Sequence, residues 1–143
     1  MGPRVLAITP EISQVGGPGL THGNDAAVYL VHFGEHLAPC PVDVRLADGE
    51  RFFLGQRSLQ ALHLPGHSPG SVAYVVESDG RRVVFAQDVH GPLHPDLLSK
   101  RNDYQASLRK LLALEADILC EGHFGVFVGR AAVAAFIERF VED

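Results

Sequence analysis

Several things are scarce in this chain, and each scarcity removes a class of function. Cys40 and Cys120 are the only cysteines, too few for a disulfide framework, so a reducing cytoplasm is the default compartment. No apolar run approaches the ~20 residues that span a bilayer, so no membrane partner is expected. The opening stretch MGPRVLAITPE has a weak apolar core and meets Pro10 early, unlike a signal peptide. Leu6 stands where a myristoylated Gly2 would require Ser or Thr. Positive charge is also in short supply. Twelve Lys and Arg against 17 Asp and Glu give a formal charge of -5, with no basic stripe, so no nucleic-acid partner is expected. The glycine cluster Gly16-Gly17-Pro18-Gly19 is too short and irregular to cradle a phosphate and reads as a turn. There is no internal repeat, low-complexity tract or interdomain linker.

What is present suits one folded domain over residues 1–143. An apolar fraction of 46% argues against disorder, and the length allows a real core. Eight histidines are the compositional oddity. At pH 7 they are neutral metal ligands or proton carriers, or simply surface residues.

The chain centres on Leu59 to Asp88, which reads as strand, tight turn, strand, hairpin, strand. The turn is Pro65-Gly66-His67-Ser68-Pro69-Gly70, and Asp79-Gly80 is a strong hairpin signal. Prolines fix φ and glycines permit close backbone approach, so this turn should be a stiff loop that aims His67. Upstream, Arg4 to Val15 reads as a β-segment broken at Pro10. The polar segment with His22 and Asp25 reads as a turn. Ala26 to Phe33 reads as a strand, followed by a turn at Gly34-Glu35 and a return strand from His36 that stops at Pro39-Cys40-Pro41. Asp43 to Leu54 reads as a hairpin about Asp48-Gly49.

After Asp88 comes a proline-punctuated loop carrying His90 and His94, four residues apart; they could face the site, but two exposed loop histidines are the favoured reading. Asn102 or Asp103 is the expected cap of a helix from Tyr104 to Leu114, whose apolar face is Tyr104, Leu108, Leu111 and Leu112. Asp117 to Cys120 reads as a short strand, Gly122 to Gly125 as a second histidine loop around His123, and Arg130 to Val141 as a final helix. Cys120 is expected to be a buried strand-end residue, or else a thiolate near a metal; Glu121 is expected to be exposed, or else to hold an imidazole as a carboxylate partner; Lys100, Arg101 and Asn102 form a solvated helix start, or else meet an anionic substrate.

His67, Asp88 and His123 thus each follow or end a strand, where rigid scaffolds place functional side chains. Two imidazoles and one carboxylate suit Zn²⁺, Fe²⁺ or Mn²⁺. A three-ligand site leaves room for a water molecule whose pKa the metal lowers towards neutrality, giving a hydroxide nucleophile. Three unrelated loop residues are the bland alternative.

From about Pro41 onward the chain resembles the second half of a metallo-β-lactamase-fold hydrolase, the superfamily that includes glyoxalase II. The matching residues are Leu64-Pro65-Gly66-His67-Ser68-Pro69-Gly70-Ser71, then Phe85-Ala86-Gln87-Asp88, then Gly122-His123. Ala26 to Ala38 resembles that fold's early paired strands. The resemblance implies an α/β fold, an αββα sandwich that is incomplete here. It implies one or two metal ions, Zn²⁺ or alternatively Fe or Mn. His67 would bind one ion, His123 the second, and Asp88 would bridge them as the catalytic carboxylate. It also implies hydrolysis of an ester, thioester, lactam or related bond in a small-molecule substrate.

One signature of that family is missing. No H-x-H, and so no H-x-H-x-D-H, occurs in the 143 residues. The sequence passes through residues 38–41 as if an internal segment had been removed. A shortened enzyme, a longer enzyme with the segment present, and a non-catalytic metal-binding or self-associating remnant all fit this pattern. Loss of a crossover would expose strand edges and favour a homodimer.

Overall fold

The computed structural model describes the backbone of Leu6–Thr9, Ile12–Gly16 and Val28–Val31, together with residues 46–142. The expectations for His22, Asp25, His36, Cys40 and the junction at residues 38–41 fall outside the described residues.

Strands β1 (Leu6–Thr9), β2 (Ile12–Gly16) and β3 (Val28–Val31) form a small antiparallel sheet in chain order. The first two flank Pro10, which cannot donate to a ladder, as the sequence implied. The larger sheet contains β4 (Arg51–Leu54), β5 (Arg57–His63), β6 (Val72–Ser78), β7 (Arg81–Ala86), β8 (Ile118–Glu121) and β9 (Gly125–Val128), again in chain order. All its neighbours are antiparallel except β7 and β8, which run parallel. Parallel neighbours need a crossover, and α1 (Arg101–Leu112) provides it. The β6–β7 hairpin turns at Asp79 and Gly80, whose φ values of 51° and 68° match the twist of the flanking strands.

One sheet face carries α1 and α2 (Arg130–Glu138). Leu62, Val75, Val84 and Leu119 meet Tyr104, Leu108 and Leu111 of α1 and Val133, Phe136 and Ile137 of α2 there. The alternate residues Leu59, Val76, Val83, Ile118 and Cys120 form a second buried cluster on the opposite face. Strand β8 is buried at all four positions, as expected of a strand with a parallel neighbour and both faces covered. This is an α/β architecture with one six-stranded layer and its helical cover, part of the sandwich the sequence implied.

Several boundaries differ from the sequence reading. Helix α1 begins at Arg101 rather than Tyr104, and its N-cap is Lys100, which makes no side-chain cap bond. Asn102 and Asp103 lie inside its first turn. A tertiary contact fixes the start instead, because the Lys100 N–H donates to the Gly66 carbonyl at 2.8 Å. Helix α2 ends at Glu138, short of Val141. Asp48-Gly49 is a turn, with Gly49 at φ 79°, but among the described residues it does not close a hairpin. Strand β4 pairs with β5 through Gly55-Gln56. Asp48 is held elsewhere, accepting from the His63 N–H and the Lys110 ammonium, both at 2.8 Å. The expected loop at Gly122–Gly125 is shorter, because β9 starts at Gly125.

Asp117 joins β7, β8 and α2. Its carboxylate accepts from the Arg82 N–H and from Arg130 Nε, both at 2.8 Å, while its backbone N–H donates to the Arg82 carbonyl. The Arg82 N–H first, and the Arg130 guanidinium second, hold this carboxyl below its ordinary range. A depressed carboxyl contributes stability that is complete above the unfolded value and is lost as pH falls through the folded one. Asp117→Asn is therefore less stable than wild type at pH 7, and the difference closes below pH ~4. Thermal melts of both proteins across that range check this, and a constant difference would refute it.

Candidate metal centre

Strand directions bring the three singled-out loops together. Because β5 and β7 are each antiparallel to β6, and β8 is parallel to β7, all three run the same way. Their C-terminal ends share one sheet edge. The loops leaving those ends carry His67, Asp88 and His123.

The His67 loop is moulded onto the start of α1. Gly66 has φ 137°, and a Cβ there would lie 2.2 Å from both N and Cα of Tyr104. Only glycine allows that approach. The neighbouring carbonyls are also tied to the segment leading into and through α1. Ser107 Oγ donates to the Pro65 carbonyl at 2.7 Å, and Ser99 Oγ to the His67 carbonyl at 2.5 Å. His67 is thereby aimed by contacts to its loop's backbone, from the start of α1 and from the Ser99 and Ser107 hydroxyls.

His67 Nε2 lies 3.2 Å from Asp88 Oδ2, and His123 Nε2 lies 3.0 Å from Asp88 Oδ1. Each oxygen of one carboxylate thus faces one imidazole. Two ligands ~2.1 Å from a tetrahedral ion are themselves roughly 3.4 Å apart, so these separations suit a divalent metal. Gly122 keeps the His123 loop close, since a Cβ at that position would sit 3.1 Å from Asp88 Oδ1. Among the described residues His67 Nδ1 is buried with no hydrogen-bond partner, while Nε2 faces Asp88.

Glu121 departs from its favoured exposed reading and takes the alternative one, a carboxylate that holds an imidazole. It is 0% exposed because β8 continues one residue beyond Cys120 and carries it inside. Its Oε1 accepts from the Val89 N–H at 3.0 Å and lies 2.8 Å from His90 Nδ1. Its Oε2 accepts from the N–H groups of His123 and Phe124, both at 2.7 Å. Burial pushes this carboxyl up, but the bond with His90 and the two N–H groups outweigh it and leave it below its ordinary value. Tyr104 reinforces the same region, donating its hydroxyl to the Val89 carbonyl at 2.6 Å.

His90, read as an exposed loop residue, is half-buried among the others. Its ring lies 5.3 Å from that of His123, 6.3 Å from that of His67 and 4.8 Å from that of Phe124. The spacing Asp88-Val89-His90, one residue apart on an extended loop, was the signal that could have found it. His94 is exposed as expected, its Nδ1 accepting from the Asp96 N–H. Cys120 is buried on the opposite sheet face, and burial pushes its thiol up to about 12. Lys100 and Asn102 are exposed, and Arg101 pairs with Glu142, so this trio is the expected solvated helix start. Among the described residues, no helix is long and apolar enough to cross a membrane.

Comparison with known proteins fits this geometry. Residues 10–123 match the family model of the metallo-beta-lactamase superfamily. Acyl-coenzyme A thioesterase MBLAC2 of Bos taurus is 36% identical over 89 residues, covering 57% of this chain and 31% of that protein. Hydroxyacylglutathione hydrolase of Methylococcus capsulatus is 34% identical over 111 residues, covering 68% of this chain and 43% of that protein. Among solved structures, a B3 metallo-beta-lactamase with an active-site glutamic acid superposes with TM-score 0.55 at 26% identity, over 66% of this chain and 42% of that one. The family protein TTHA1429 of Thermus thermophilus gives TM-score 0.52 at 26% identity, over 71% of this chain and 36% of that one. The chain spans between about a third and less than half of the length of these relatives.

The Gly66 contact generates a paired prediction. Gly66→Ala places a methyl group inside the backbone of α1 and costs about 3 kcal/mol or more, lowering Tm by roughly 10 °C. Gly70→Ala, where a Cβ meets nothing within 4 Å, stays within about 0.5 kcal/mol of wild type. Equal melting temperatures for the two variants would refute the docking of this loop on α1.

Proposed function

The chain belongs to the metallo-beta-lactamase superfamily, and from that premise we propose that it is a metal-dependent hydrolase with His67, Asp88 and His123 as its metal-binding residues. The observation that carries this reading is the pair of imidazole Nε2 atoms at 3.2 and 3.0 Å from the two oxygens of one carboxylate. One or two ions suit this donor set, Zn²⁺ first and Fe or Mn as alternatives. When bound, the metal supplies Lewis acidity and brings a water molecule's pKa towards neutrality.

The rest falls to the chain's own side chains. His67 and His123 would each offer Nε2 to the ion, and Asp88 would offset its positive charge. His123 is partly open to solvent, with 38% of its side chain exposed, so a small-molecule substrate can reach the centre. Phe124, 55% exposed and adjoining His90, offers an apolar surface for an acyl group. A thioester is the favoured substrate class, because relatives named as an acyl-coenzyme A thioesterase and a hydroxyacylglutathione hydrolase both act on acyl groups carried by a thiol compound. Hydrolysis then breaks the acyl–sulfur bond, transfers the water oxygen to the acyl carbon and releases the thiol.

A second reading is a non-catalytic metal-binding remnant, favoured by the absence of H-x-H from the sequence. Thioester hydrolysis by the Zn²⁺-loaded chain separates the two. The hydrolase reading predicts turnover that falls about 100-fold or more in Asp88→Asn, with metal binding weakened at least as much in His67→Ala. Stoichiometric metal without turnover of thioester, ester or lactam substrates would establish the remnant. An absence of metal binding would overturn both.

A further inference from the structure

We infer that His90 is a further metal-binding residue of this centre, offering Nε2 while Glu121 holds its Nδ1. The inference rests on the metal-binding reading above and adds a ligand to it. Asp88, His90 and Glu121 each bring a potential ligand atom within 4.8 Å of the others, so the three could be taken for a metal set by themselves. The hydrogen bonds argue against Glu121 as one of its ligands. Both of its oxygens are occupied, Oε1 by the Val89 N–H and His90 Nδ1, Oε2 by the N–H groups of His123 and Phe124. Releasing any of these to a metal would strand a donor in a buried place.

The same bonds define His90. A carboxylate only accepts, so the proton of the neutral ring sits on Nδ1 and the lone pair on Nε2. Metal-bound imidazoles characteristically donate their other nitrogen to a carboxylate, which fixes the tautomer and the ring plane. Here that carboxylate is fully buried and also anchors the amide of His123. The His90 ring lies near both neighbouring imidazoles, 5.3 Å from His123 and 6.3 Å from His67. Three imidazoles and Asp88 then make a four-donor set that two ions can share, so that each keeps a position for water, drawn wholly from the described residues of a chain that lacks H-x-H.

The test is a Zn²⁺ titration followed through the side-chain nitrogen NMR signals of the labelled wild-type protein, which requires no variant to fold. The Nε2 signals of His67, His90 and His123 should shift together, while His94 stays unmoved. In parallel, His90→Gln should weaken Zn²⁺ affinity about 100-fold, and Glu121→Gln between about 10- and 100-fold, with His94→Gln unchanged. Shifts at His67 and His123 without one at His90 would overturn the inference and leave the hydrolase reading intact. No shift at any of them would overturn both.

Discussion

The centre depends on a buried carboxylate that should be costly to keep ionised. Removing Glu121 from water carries a penalty of several kcal/mol. Hydrogen bonds to a charged group return about 1.5–3 kcal/mol each, and four donors converge here: three backbone N–H groups and His90. Together they exceed the penalty, consistent with a carboxyl held below its ordinary value. The consequence is geometric. Val89 follows Asp88, and His123 lies two residues beyond Glu121, so one side chain staples the two loops that carry Asp88 and His123. Tyr104 and Gly66 extend this frame through α1 to His67.

Much of this was legible in the sequence because it is local. The hairpin at Asp79-Gly80 depends on residues that tolerate positive φ, and both occupy it. The stiff loop around His67 and the three strand ends carrying His67, Asp88 and His123 follow from short turn motifs. Tyr104 was read as core-facing from helical spacing, and it is buried.

Most of the misreadings have the opposite cause. Glu121 looked exposed because a lone glutamate beside glycine usually is. Its burial depends on donors 31 and 32 residues away, at His90 and Val89. His90 looked like a surface residue because its loop is rich in proline and polar groups, and its partner is the same distant carboxylate. The start of α1 was placed at a side-chain cap, whereas a backbone contact from Lys100 to Gly66 sets it. Strand β9 is four residues long and carries no alternating pattern of burial. The first three depend on contacts between distant parts of the chain, which residue patterns do not encode, whereas β9 pairs locally with β8, Gly125 opposite Glu121.

The most direct test of the account is amide hydrogen exchange at Val89, His123 and Phe124 in the wild-type protein. These amides lie outside the strand ladders, so protection there reports on Glu121. The account predicts protection comparable to that of the β7 and β8 amides. Exchange at the rate of an open loop would contradict it, because the loops carrying Asp88 and His123 would then not be joined by the carboxylate between them.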